Sequence, residues 1–203
     1  MVAPDAPPAW RSRPERDEAE QQLLDAAGRC FARHGIAATS LSDIAAEAGC
    51  SRPTVYRYFD GRDAVREAFV RREARRIGAA LREQIDASAP PETWVTDAVL
   101  GALHAVRSDA LLSAWFRCDD VGSTLSLAMR PDLLADLAQV LVGPSADETA
   151  PADETGQPER PGDLAEWVVR IIPSFLSSPA ADEATERRLV ERFLAPLVAD
   201  GPG

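Results

Sequence analysis

Residues 41–62, LSDIAAEAGCSRPTVYRYFDGR, read as two short helices hinged at a glycine. Ser40 with Asp43 three residues on has the S-x-x-D form of a capping box, in which each residue satisfies a backbone donor of the other and the first helix starts. Ile44, Ala45 and Ala48 then recur on one inward face. Gly49 suits the left-handed backbone that ends a helix within one residue, and Cys50 supplies a small apolar plug. Ser51 is a good N-cap for the second helix, and Pro53 falls in its first turn, where proline is tolerated. This arrangement is a helix-turn-helix.

At about 100° per residue, Val55 and Phe59 of the second helix point one way, leaving Pro53, Thr54 and Arg57 opposite, with Tyr56 and Tyr58 at the flanks. Hydroxyl and guanidinium donors suit phosphate oxygens and base edges, and ring bodies can lie against thymine methyls. The alternative is a surface helix whose amphipathic aromatics are half buried on helix one. Ser40, Ser42 and Arg52, at the starts of the two helices, complete the candidate DNA-contacting set, together with Arg62 at the start of the following helix.

The segment from Phe31 to Phe69, with Phe31, Gly35, Thr39, Asp43, Ile44, Ala45, Gly49, Ser51, Thr54, Tyr56, Tyr58 and Phe59 in their places, resembles the DNA-binding domain of the TetR family of repressors. The resemblance covers roughly the first third of the chain at motif level. It implies an all-α fold, with an N-terminal three-helix helix-turn-helix domain followed by a helical ligand-binding and dimerisation domain. Arg62 stands where the family has a basic backbone contact, usually lysine. The expected division is an arm at 1–14, a reader at 15–62 and a helical effector-binding and dimerisation domain at 63–203.

The net charge of −11 is unusual for a nucleic-acid binder until it is divided along the chain. Residues 1–76 carry 13 Arg against 12 Asp and Glu, and residues 77–203 carry 9 Arg against 21 acids. An acidic rear repels DNA and leaves the near-neutral reader as the face it can approach. No apolar run approaches the roughly 18 residues of a membrane span, and MVAPDAPPAW does not read as a signal peptide, so a cytoplasmic location is expected. Cys30, Cys50 and Cys118 are odd in number and lack metal-type pairing, which points to reduced thiols.

Four prolines among small polar residues make 1–14 a disordered arm, whose Arg11 and Arg13 either touch DNA or are simply solvated. Helix one, 16–34, carries a stripe of Leu23, Leu24, Ala27, Cys30 and Phe31 and stops at Gly35. Cys30 and His34 lie four apart on one face, but no third partner is in view for a nucleophile or a metal site. Helix four, 62–87, buries Val65, Ala68, Phe69, Ile77, Leu81 and Ile85, and its Arg71, Arg72, Arg75 and Arg76 form a solvated face. Further helices are expected at 92–107, 109–128, 131–142, 163–178 and 182–199. The stretch 143–162, in which ADET occurs twice, should be a mobile loop. Pro173 and Pro196 are expected inside the last two helices, bending each.

The last two helices are strongly apolar, the first of them on more than one stripe, so Ile171, Phe175, Leu189 and Phe193 are candidates for an interface with a second copy. In the family, the segments holding Trp94, His104, Trp115, Phe116 and Met129 surround the ligand cavity, together with Trp167 and Phe175. With only His104, Arg117, Asp119 and Asp120 as polar groups there, the effector should be a small hydrophobic molecule. No cofactor is expected. His34 and His104 are the only histidines, and neither has the spacing an enzyme would announce. The reading is a homodimeric, sequence-specific transcription regulator, a repressor released from a palindromic double-stranded operator by a small ligand. The alternatives are a ligand-independent DNA-binding protein or an activator.

Overall fold

The computed structural model describes residues 16–86, 88–116, 130, 161–194 and 196, and the side chains of all of these except 161–166. Among the described residues the regular structure is all helical: α1 (Arg16–His34), α2 (Leu41–Ala48), α3 (Arg52–Tyr58), α4 (Arg62–Gln84), α5 (Pro91–Ser108), α6 (Ala110–Ala114), α7 (Pro161–Ser177) and α8 (Glu183–Phe193). The chain forms two compact units, 1–72 and 73–203, and passes from one to the other within α4.

In the N-terminal unit, α1 presents Leu23, Leu24, Ala27, Cys30 and Phe31 to the interior, each at most 2 % exposed. Ile44 and Ala45 of α2, Val55 of α3, and Val65 and Phe69 of α4 complete this core. The Phe31 and Phe69 rings meet edge to face, centroids 5.3 Å apart, a geometry that aligns a positive ring edge with a negative face. Because Val65 and Phe69 are buried, the unit extends past the boundary expected at 62 and takes in the first part of α4.

The expected solvated arginine face of α4 needs correction. Arg71 and Arg72 are only partly exposed: Arg71 pairs with Glu67 at 3.0 Å, and Arg72 reaches Asp25 of α1 at 2.7 Å while lying over the Phe69 ring. A long aliphatic stem lets an arginine cover apolar surface and still deliver its charge to a carboxylate. Arg75 and Arg76 do stand exposed.

In the C-terminal unit, Val95, Val99, Leu100 and Leu103 of α5 pack with Val168 of α7 and with Val190 and Leu194 at the end of α8. Gly101 lets the Leu81 side chain close on α5, since a Cβ there would run into it. A second tie is polar. Arg107 of α5 donates through both terminal nitrogens to the two carboxylate oxygens of Glu186 in α8, each at 2.7 Å, and also to the Phe175 carbonyl of α7 at 2.9 Å.

Pro173 lies inside α7, as expected. α8 ends at Phe193 with Leu194 as C-cap and Pro196 is again helical; 195 and 197–199, over which the last helix was expected to continue, lie outside the described residues. α6 is assigned to Ala114 only, and α7 begins at Pro161. The arm with Arg11 and Arg13, Cys118, the rest of 109–128, the helix expected at 131–142 and the loop through 160 lie outside the described residues, as do Arg117, Asp119, Asp120 and Met129. Among the described residues no helix is long and apolar enough to cross a membrane.

Candidate nucleic-acid interface

The candidate interface is built on two caps. Ser40 Oγ accepts the Asp43 amide at 3.2 Å and the Asp43 carboxylate accepts the Ser40 amide at 2.8 Å, closing the capping box that starts α2. The Ser40 hydroxyl, which donates to the Asp43 carboxylate at 2.6 Å, and then the Ser40 amide hold that carboxyl below its ordinary range. At the other end Gly49 takes φ 69°, and the Gly49 and Cys50 amides close on the carbonyls of Ala46 and Ala45. That left-handed residue turns the chain in one step, and Ser51 immediately caps α3 by accepting the Thr54 amide at 3.3 Å.

With Val55 fully buried and Phe59 5 % exposed, the phase of α3 is set. Arg52, Pro53, Tyr56 and Arg57 therefore stand exposed, and Thr54 and Tyr58 are half-buried at the edges. Ser42 is exposed in the first turn of α2. The Thr54 hydroxyl is shared with Ser51 Oγ at 2.8 Å. Each tyrosine carries an arginine: Arg52 donates to the Tyr56 hydroxyl at 3.1 Å with its guanidinium 5.4 Å from the ring centre, and Arg57 donates to the Tyr58 hydroxyl at 3.3 Å with its guanidinium 5.1 Å away. The face thus presents two flat, cationic Arg–Tyr couples. Planar guanidinium forks are suited to phosphate and guanine, and the stacking holds them at little entropic cost. The i, i+4 spacing of Arg52 and Tyr56 was a signal for one couple; the neighbouring pair Arg57 and Tyr58 has no such helical signature.

Arg62 is exposed at the start of α4 and donates through Nη1 to the Ala37 carbonyl at 3.0 Å. The reader is braced from behind by Glu47 of α2, which accepts Arg29 Nε at 2.6 Å and pairs with Arg33, both from α1. These arginines hold the Glu47 carboxyl below its ordinary range. Partners 14 and 18 residues away leave no local pattern in sequence. The Cys30 and His34 pair is not a site: Cys30 is 1 % exposed, burial pushes its thiol up, and His34 stands exposed. A thiol kept protonated is a poor nucleophile and metal ligand.

Of the candidate effector residues in the C-terminal unit, Trp94 and Phe175 pack partly buried against the α5–α7–α8 core, and Trp115 is 3 % exposed. Phe116 is half-buried, His104 is exposed and bonded to Ser108, and Trp167 is 40 % exposed. Of the candidate interface residues, Ile171 is half-buried, while Leu189 and Phe193 are 37 % and 58 % exposed.

The sequence profile described as "Bacterial regulatory proteins, tetR family" matches residues 23–69, the span from mid α1 to Phe69. An uncharacterized HTH-type transcriptional regulator of Mycobacterium tuberculosis is 35 % identical over 189 residues, covering 93 % of this chain and 90 % of its own length. The chain belongs to the TetR family. Among solved structures, the TetR family repressor AlkX from a Dietzia strain matches with a TM-score of 0.64 at 20 % identity, over 88 % of this chain and 94 % of that one. The repressor QsdR of R. erythropolis matches with a TM-score of 0.60 at 21 % identity, over 90 % and 95 %. The regulator therefore has the TetR fold across both units and is a DNA-binding transcription regulator, not an enzyme.

Proposed function

We propose that this regulator is a cytoplasmic repressor that grips a palindromic operator as a homodimer and lets go when a small hydrophobic effector binds its C-terminal unit. The observation that carries the DNA half of this reading is the exposed face of α3, where Arg52, Tyr56 and Arg57 project opposite the buried Val55. Selection of duplexes from a random-sequence library tests it. Thr54→Ala, Arg57→Ala and Tyr58→Ala should each weaken binding to the selected duplex by about 1–3 kcal/mol. Arg62→Ala should instead weaken binding to all duplexes and flatten the salt dependence by about one phosphate contact. Undiminished binding by both Arg57→Ala and Tyr58→Ala sinks the assignment of this face.

A dimer supplies the second recognition helix, about 34–36 Å from the first on a palindrome. Leu189 and Phe193 support α8 as part of the interface, because they stand four residues apart on its exposed side while Glu186, Val190 and Leu194 face inward. Phe193→Glu is therefore expected to sediment as a monomer where the wild type sediments as a dimer at micromolar concentration. Identical sedimentation of the two removes α8 from the interface.

The effector half rests on the aromatic side chains of the C-terminal unit. A ligand can release DNA only by preferring the non-binding conformation, and a coupling of about 1–3 kcal/mol would lower operator affinity roughly 5- to 150-fold. The lever is a shift of α4 that changes the spacing of the two recognition helices. Apolar compounds that quench tryptophan fluorescence should weaken DNA binding by that factor. Hits that saturate the protein and leave operator affinity unchanged would make it a ligand-independent regulator.

A further inference from the structure

Between α1 and α2 the chain makes a tight turn whose carbonyls are claimed one after another. Gly35, at φ 81°, ends α1, and its carbonyl accepts both the amide and the hydroxyl of Thr39, at 3.2 and 2.7 Å. The next two carbonyls are taken from across the unit by the first turns of α4. Ile36 O accepts Arg66 Nη2 at 2.7 Å, and Ala37 O accepts Arg62 Nη1 at 3.0 Å. Arg66 also pairs with Asp63 at 3.2 Å, and its side chain is only 11 % exposed, whereas Arg62 is exposed. Ile36 and Thr39 are themselves buried, at 2 % and 0 %. The following residue, Ser40, is the cap from which α2 starts, and α3 follows α2 by the single left-handed step at Gly49.

We propose that Arg66 is a positioning residue for DNA reading: it pins the 35–39 turn to α4, and so fixes where α2 and α3 start, without itself touching DNA. The proposal rests on the reading of α3 as the DNA-contacting helix. A mostly buried guanidinium cannot cheaply forgo an acceptor, so the bond to Ile36 O persists while the unit is folded. Without it the turn samples other placements, and apparent affinity falls in proportion to the fraction of molecules in the binding-competent one. A phosphate contact behaves differently, because its loss removes counterion release and flattens the salt dependence.

The test uses the full-length protein and the duplex enriched by the wild type from a random-sequence library. Arg66→Met should weaken binding roughly 10-fold, the equivalent of one charge-assisted hydrogen bond, at every salt concentration. The plot of log affinity against log salt should stay parallel to that of the wild type, whereas Arg62→Ala should flatten it. Far-UV circular dichroism should be unchanged, and the amides of Thr39 and Ser40 should exchange faster while those of α1 do not. Arg66→Lys, which keeps one donor head on a flexible stem, should recover part of the affinity. If Arg66→Met does not fold, Arg66→Gln is read in the same way. A flattened salt slope in the Arg66 variant overturns the proposal in favour of a phosphate contact, and unchanged affinity overturns it outright. No enrichment by the wild type overturns the DNA reading and this proposal with it, whereas enrichment with an unaffected Arg66 variant overturns this proposal alone.

Discussion

Replacing Glu186 by alanine is expected to destabilise the C-terminal unit by about 3 kcal/mol, the lower end of the range for breaking a buried ion pair. The Glu186 side chain is 3 % exposed and meets Arg107 through both oxygens, while the Ala180 amide adds a third bond at 3.2 Å. Removing the carboxylate leaves the guanidinium with only the Phe175 carbonyl among these partners. The lower end applies because the Arg107 side chain is 35 % exposed and water can rescue part of its charge. The same pair makes stability pH-dependent. Arg107 holds the Glu186 carboxyl below its ordinary value, so the stabilisation is whole above the unfolded carboxyl's pKa of about 4.3 and is lost as pH falls through the lower, native value. Urea unfolding followed by tryptophan fluorescence reads chiefly this unit, which holds Trp94, Trp115 and Trp167, three of the four tryptophans of the chain. A wild-type midpoint for Glu186→Ala at pH 7, or a mutant deficit that does not shrink in acid, refutes the account.

Phe69→Ala is expected to cost the N-terminal unit about 4 kcal/mol, within the usual span for emptying a buried aromatic site. Phe69 is 1 % exposed, meets Phe31 edge to face, and carries the Arg72 guanidinium 5.2 Å from its ring centre. One change therefore removes an apolar contact and the platform beneath an ion pair between α4 and α1. A unit this small has little stability to spare, so the reader should unfold and DNA binding should be lost while the C-terminal unit stays helical. Phe69→Leu, which refills most of the volume, should lose less than half as much. A calorimetric scan in which Phe69→Ala keeps the wild-type transitions, together with full affinity for the selected duplex, would contradict this.

The two units were not equally open to reading from sequence. The bounds of α1, the capping box at Ser40 and Asp43, the left-handed Gly49 and the Ser51 cap are all local. Each depends on residues within about one helical turn, so residue type and spacing carry the whole signal. The inward Val55 and outward Arg57 follow from the same periodicity. The break of α8 at Phe193 carries no such local mark, because apolar spacing continues past it and spacing alone does not mark where a helix ends.

By itself, then, the sequence determined the helix-turn-helix, its phase and its family, because short-range chemistry specifies caps, hinge and the buried side of each helix. Only the tertiary structure decided which charges meet. Arg72 with Asp25, Arg107 with Glu186, Glu47 with two arginines of α1 and Arg66 with the Ile36 carbonyl join residues from 14 to 79 positions apart. A charged side chain has the same composition and the same helical spacing whether it faces water or a buried partner. What it does is settled when packing brings a distant acceptor within hydrogen-bond reach and removes the water that would otherwise compete for it.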